Sequence, residues 1–173
     1  VVAVVTVVAV VTAVAGWQAR SSSRLVIAID GHGAAGKTTL ADELARELGA
    51  EVLHTDDYFH PTRERADNRP MAQYYDWARL REEAILPALA SGRRASPLLV
   101  EGVSSACPAL ADLVTHAIYV DTPEPVRLER LRARVAAEEW DEDWLDAERV
   151  YFASRPPESF DLVVTGSSEG ARS

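Results

Sequence analysis

Residues 26–44, VIAIDGHGAAGKTTLADEL, decide how the rest of the chain is read. An apolar, β-branched run passes directly into a glycine-rich stretch. A helical pattern follows at once, in which Leu40, Leu44 and Leu48 share one face and Gly49 supplies the stop. Such a run suits a strand buried on both faces of a parallel sheet. Between strand and helix, Gly31, Gly36, Lys37 and Thr38 satisfy G-x-x-x-x-G-K-[ST]. Glycines there let the backbone curl until its N–H groups converge on phosphate oxygens, and the helix N-terminus adds the positive end of its dipole. The spacing predicts that Gly31, His32, Gly33, Ala34, Ala35, Gly36, Lys37, Thr38 and Thr39 form a loop holding a nucleoside triphosphate. In this reading Lys37 reaches the β- and γ-phosphates, Thr38 ligates Mg²⁺ and Thr39 bonds a further phosphate oxygen. The plain alternative is a glycine-rich turn with an incidental lysine, and the strand and helix flanks argue against it.

Outward from this unit the alternation continues. EVLHTD, PLLVEGV, AIYVDTP and FDLVVTG read as further strands, and YDWARLREEAILPALASG reads as a helix ended by Gly92. Alternating β and α predict a three-layer α/β/α domain around a mainly parallel five-stranded sheet. The chain of 173 residues has the length of one domain. Its first sixteen residues, VVAVVTVVAVVTAVAG, are apolar but lack the basic start of a secretory signal and are shorter than a bilayer span. A start-site extension or helix lying on the domain, a disordered appendage, and a membrane or export signal all remain open for them; the missing initiator Met fits a start other than the printed one.

The net charge is −9, and residues 138–148 hold seven acids with no Lys or Arg, a surface that repels a phosphate backbone; nucleic acid is not an expected partner. Cys107 is the only cysteine, so neither an intrachain disulfide nor a multi-thiolate zinc site can form, and a reducing, cytoplasmic setting is expected with no membrane association. The sequence leaves the oligomeric state open.

Two acidic positions fall at strand ends on the edge where ligands collect in open α/β sheets. Glu101, closing LLVE, can hold Mg²⁺ through water, or be a solvated acid at a strand end that faces solvent. Asp56 and Asp57 follow EVLHT. They read as a turn signal, or, for Asp56, as the carboxylate that orients an acceptor hydroxyl and takes its proton.

The ordered segments DGHGAAGKTTLA, HTDDYF, YYDW, LLVEGV and YVDTPEPVRLERLRAR resemble the uridine kinase-like group of P-loop kinases, related to phosphoribulokinase and bacterial pantothenate kinase, over about residues 24–166. The resemblance implies a P-loop kinase domain over 24–173 with a lid around 123–155, preceded by an apolar extension and linker, 1–23. It implies transfer of the γ-phosphoryl group of Mg·ATP to a hydroxyl of a small acceptor, a nucleoside being one candidate. Asp56 is then the catalytic base near Mg²⁺, and Glu101 helps hold the metal. Pro70 stands where the group's ribose-binding aspartate falls, so the acceptor's identity is left open, while Asp76 and Trp77 keep the later part of that segment. The rival expectation is a P-loop ATPase or nucleotide-dependent switch acting through a protein partner.

In TPEPVRLERLRARV, Thr122 reads as an N-cap, Pro123 as the first helical residue, and Leu128, Leu131 and Val135 as one face. Arg127, Arg130 and Arg134 form a second stripe, either solvated or, by the resemblance, covering the transferring phosphoryl group; Arg130 and Arg134 are the candidates. Among the remaining residues, His32, His54 and His60 lack metal-site spacing, and His60 is the histidine best placed to touch the acceptor. Tyr58, Tyr74, Tyr75 and Trp77 read as acceptor wall or core. EEWDEDWLDAE reads as a solvated helix face with Trp140 and Trp144 turned inward.

Overall fold

The computed structural model describes residues 7–60, 70–134 and 142–166. Every residue of β1, Val26–Asp30, is buried. Its alternate side chains serve opposite faces: Ile27 and Ile29 join the core under helices α1 (Val7–Arg20) and α2 (Lys37–Leu48), whereas Val26 and Ala28 face the other layer. The other strands are β2 (Glu51–His54), β3 (Leu98–Glu101), β4 (His116–Asp121) and β5 (Leu162–Thr165). All five pair in parallel in the order β2-β3-β1-β4-β5. This is the three-layer α/β/α P-loop fold, with a sheet parallel throughout. The register sets Glu101 level with Ile29 on one side and His54 on the other. The carboxyl ends of β1, β2 and β3 therefore share one edge, beside the loop that leaves β1.

Helix α1 lies on the domain. Val10 and Val14 are fully buried against the α2 side of the core, Trp17 stacks on His116 with ring centroids 4.2 Å apart, and the Gln18 amide donates to the Ala95 carbonyl. Burial of each valine contributes about 1.5–3 kcal/mol. No described helix is long and apolar enough to cross a membrane. Residues 1–6 lie outside the described part.

The helix expected to end at Gly92 is built in three pieces: α3 (Trp77–Arg79), a π turn (Leu80–Ile85) and α4 (Leu86–Ala90). Pro87 explains the widening. A proline inside a helix has no N–H to donate and clashes with the carbonyl four residues back. In the π turn the Leu86 N–H reaches Arg81 O instead, five residues back, and the chain stays helical through the proline.

Beyond β4 come α5 (Glu124–Arg134) and α6 (Glu142–Ser154). Val135 and Trp140 fall in the part not described. Thr122 does not cap α5 as the sequence suggested: its hydroxyl donates 2.8 Å to Ala35 O, tying the end of β4 to the glycine-rich loop. The Pro123 carbonyl accepts the first N–H groups of the helix, from Val126 and Arg127.

Candidate active site

The loop between β1 and α2 is shaped by its neighbours. Gly31 has φ 145°, and a Cβ there would stand 2.6 Å from Val120 O, so only glycine fits against β4. Gly36, at φ 100°, turns the chain into α2. Ala34 is held at φ 59°, a conformation uncommon for a residue with a Cβ. Its carbonyl lies 3.2 Å from Arg130 Nη1, and the Gly33 carbonyl 3.4 Å from Arg127 Nη1.

Lys37 opens α2 and is buried, its Nζ donating 2.9 Å to His32 O. Burial pushes its pKa down, against the opposing pull of the Glu148, Asp30, Glu101 and Asp56 carboxylates. Thr38 and Thr39 are exposed on the first turn of α2, where helix N–H groups lack intrahelical partners.

Glu101 is 5% exposed, which corrects the expectation of a solvent-facing strand end. Thr38 Oγ1 lies 3.3 and 3.4 Å from its two carboxylate oxygens, and His54 Nδ1 lies 2.6 Å from Oε1. The hydrogen bond to Glu101 raises the His54 pKa, outweighing the smaller effect of desolvation. Among the described residues no three His, Cys, Asp or Glu side chains group as a self-sufficient metal site. One hydroxyl and one carboxylate facing each other across this short gap are the hard-oxygen donors that suit magnesium, which takes few protein ligands and completes its shell with phosphates and water.

Asp56 lies in a 3₁₀ turn, Thr55–Tyr58, directly after β2. Its carboxyl is open to solvent on one side, with the Tyr75 hydroxyl 3.5 Å from Oδ1. Partial enclosure by the surrounding protein raises its pKa; Lys37 pulls it down and Glu101 adds to the rise. Lys37, Thr38, Glu101 and Asp56 thus share one edge of the sheet.

Other sequence candidates are distributed differently. Asp76 accepts the Arg79 N–H at 2.9 Å and so caps α3. Tyr58 lies under the Arg79 guanidinium, 4.9 Å from its ring centre, and its carbonyl accepts the Asp76 N–H. His60 is exposed and joined through its backbone N–H to Tyr74 O. Of the arginine stripe, Arg127 and Arg130 meet the loop, whereas Arg134 is exposed at the end of α5. Tyr75 is core, stacked on Phe59 with centroids 4.9 Å apart, and Trp144 closes edge-on upon Phe59, Tyr74 and Tyr75.

Two carboxylates escaped the sequence reading. Asp30, fully buried at the end of β1, accepts the N–H groups of Gly31, Ser104 and Ala106 and the Tyr151 hydroxyl, so it joins the loop, the turn after β3 and α6. Burial raises its pKa in spite of those hydrogen bonds. Glu148, assigned to a solvated face, is 1% exposed and bonded to the loop. Its i, i+4 spacing from Trp144 was the available signal, since the two share a helix face. A cavity of about 320 Å³ beside it, between α5 and α6, is bounded by His32, Tyr119, Arg127, Leu145, Glu148 and Phe152.

A family model described as an AAA domain matches residues 26–154. No curated protein matches the sequence. Among solved structures, the chain is similar to a possible uridine kinase from Bacillus stearothermophilus, with a TM-score of 0.68 and 19% identity, covering 91% of this chain and 96% of the other. It is also similar to a gluconokinase from Sinorhizobium meliloti 1021 (TM-score 0.54, 17% identity, 83% of each chain). A third is the shikimate kinase of Bacteroides thetaiotaomicron (TM-score 0.51, 19% identity, 86% of this chain and 89% of the other). At these identities the likeness is one of fold.

Proposed function

The chain belongs to the AAA-domain family, and from that premise we propose that it is a magnesium-dependent small-molecule kinase, transferring the γ-phosphoryl group of ATP to a hydroxyl of a small acceptor. The observation that carries this reading is the convergence of Lys37, Thr38, Glu101 and Asp56 at the carboxyl edge of β1, β2 and β3, under Arg127 and Arg130. The kinases among its structural neighbours, named for a nucleoside, a sugar acid and a cyclic polyol acid, support a hydroxyl-bearing acceptor.

The chemistry follows from positioning and charge, since phosphoryl transfer asks the protein for little covalent work. N–H groups from the Ala34–Thr39 part of the loop, at the start of α2, receive the phosphates, and the Lys37 ammonium balances their charge. Thr38 and Glu101 would hold a magnesium ion, which when bound would supply charge neutralisation at the phosphate oxygens. Asp56 accepts the proton of the acceptor hydroxyl as the oxygen attacks, and its raised pKa makes it a stronger base. Arg130, with Arg134 from the far end of α5, covers the charge of the transferring group. Tyr58, His60 and Asp76 border the acceptor's approach.

In this account residues 24–173 are the catalytic domain, 123–155 its lid, and 1–23 an appended segment whose α1 docks on it. The working partners are ATP and the acceptor, without nucleic acid, in the cytoplasm. The test is incubation with Mg·ATP and a panel of nucleosides, sugars, sugar acids and polyols, followed by mass spectrometry. A phosphorylated acceptor is expected. Release of ADP and phosphate with every acceptor unmodified would favour an ATPase or switch instead.

A further inference from the structure

From the placement of Glu148 we infer that it is a positioning residue for phosphoryl transfer: its buried carboxylate fixes the His32–Gly33 part of the phosphate loop and joins that part, through Trp144, to the aromatic wall beside Asp56. The inference rests on the reading of residues 31–39 as a nucleotide cradle.

Glu148 stands in an acidic stretch whose neighbours Asp143, Asp146 and Arg149 are exposed, yet it is sealed from solvent. A buried carboxylate is tolerated only when its oxygens are matched by donors. Here Oε1 accepts the Gly33 N–H at 2.8 Å and the Trp144 indole N–H at 2.8 Å. Oε2 takes His32 Nδ1–H at 3.0 Å and has Arg127 Nη1 at 3.8 Å. These bonds and the Lys37 ammonium overcome burial, which alone raises a carboxyl pKa, and hold the group below its ordinary range. It is therefore ionised, which fixes His32 Nδ1 as the donor.

The loop is gripped on several sides at this point. Glu148 of α6 holds the Gly33 N–H, Arg127 of α5 meets the Gly33 carbonyl, and Lys37 of α2 holds the His32 carbonyl. The approach is close enough that a Cβ on Gly33 would meet Glu148 Oε1 at 3.0 Å. On its other side Glu148 orients Trp144. That indole packs edge-on against Tyr75, whose hydroxyl lies 3.5 Å from Asp56. One carboxylate thus touches both the phosphate loop and the wall that borders the proposed base.

Two variants and one measurement on the parent protein test this. Glu148→Ala removes every contact and is expected to weaken binding of Mg²⁺ with the β,γ-imido analogue of ATP by about 10- to 100-fold, the size of one or two hydrogen bonds to a charged group. Glu148→Gln keeps an acceptor for Gly33 and Trp144 and is expected to restore affinity to within about 3-fold of the parent. If both variants lowered the melting temperature alike while the folded protein bound the analogue as the parent does, Glu148 would be structural only and the inference overturned. In the unaltered protein, ¹⁵N–¹H spectra during titration with the same analogue are expected to show the amides of Ala34 to Thr39 shifting while the Gly33 amide and Trp144 indole resonances hold their positions. Movement of those two toward solvent-exposed values would mean that Glu148 leaves the loop as nucleotide enters, and would overturn the inference while sustaining nucleotide binding. Absence of any shift in the loop would instead overturn the cradle reading and the inference with it.

Discussion

Glu101→Gln separates the part of this site that serves the fold from the part that serves the metal. The substitution keeps the shape and one acceptor oxygen but removes the charge shared by Thr38 at 3.3 and 3.4 Å and by His54 at 2.6 Å. The long contacts to Thr38 contribute little. The short one to His54 is charge-assisted, in the class of about 1.5–3 kcal/mol, and a neutral acceptor retains roughly half of it. The His54 side chain is 38% exposed, so solvent screening reduces the difference further. The expected loss of stability is about 1 kcal/mol, a fall of about 2–4 °C in Tm for a chain of this size. The pH dependence carries a sign. His54 has its pKa raised above 6.5 in the folded protein, so its contribution is complete below pH 6.5 and is lost as pH rises through the raised value. Thermal melts across that window are expected to show the decline in the parent and a smaller one in Glu101→Gln. Transfer activity is expected to fall far more than stability does, with at least about a 10-fold higher magnesium requirement. An unchanged magnesium titration in a variant that melts a few degrees lower would refute the metal assignment and leave Glu101 as the partner of His54 alone.

Lys37→Ala removes the buried ammonium on which four carboxylates pull and is expected to abolish binding of a non-hydrolysable ATP analogue, read by titration calorimetry; binding at parental affinity would contradict the loop assignment. Gly31→Ala is expected to unseat the loop from β4, because its Cβ meets Val120 O at 2.6 Å, and to reduce nucleotide affinity and Tm together. Val14→Ala removes two buried methyl groups on the inner face of α1 and is expected to cost about 2 kcal/mol in denaturant unfolding, with the KM for ATP unchanged; a shift in KM would tie α1 to the site.

What the sequence disclosed was what lies close along the chain. Strand, loop and helix over 26–48 are covalent neighbours, and apolar periodicity with glycine spacing specifies them locally. The strand ends at Asp56 and Glu101 followed from the same reasoning, because a parallel sheet collects its carboxyl termini at one edge. Glu148 did not, since it meets Gly33 across 115 positions and its local surroundings are those of a solvated acidic helix. Asp30 was hidden for a related reason: at a strand end a carboxylate reads as exposed, and only the tertiary fold brings Ser104, Ala106 and Tyr151 to it. Within the arginine stripe, rotation about the helix was not legible. Spacing puts Arg127, Arg130 and Arg134 on one face, but the packing of α5 on the loop, which brings Arg127 and Arg130 to it and leaves Arg134 exposed, is a tertiary matter. Thr122 and Asp76 show competition for the same side-chain chemistry: the cap expected at Thr122 turned to the loop, and Asp76, read only as an acceptor contact, also caps a helix.

The central claim is that this edge of the sheet transfers a phosphoryl group to a hydroxyl with Asp56 as base, and one comparison addresses it directly. Once the panel has identified an acceptor, phosphorylated product is measured for the parent and for Asp56→Asn at saturating Mg·ATP, with binding of the non-hydrolysable analogue followed alongside. The substitution keeps the side chain's size, disturbs one long hydrogen bond, to Tyr75, and removes the smallest of four carboxylate pulls on Lys37, so the fold and nucleotide affinity are expected to stay near the parent's. Product formation is expected to fall by about 10²- to 10⁴-fold, the scale of general base catalysis. Equal product from parent and variant would contradict the account and return Asp56 to a turn residue.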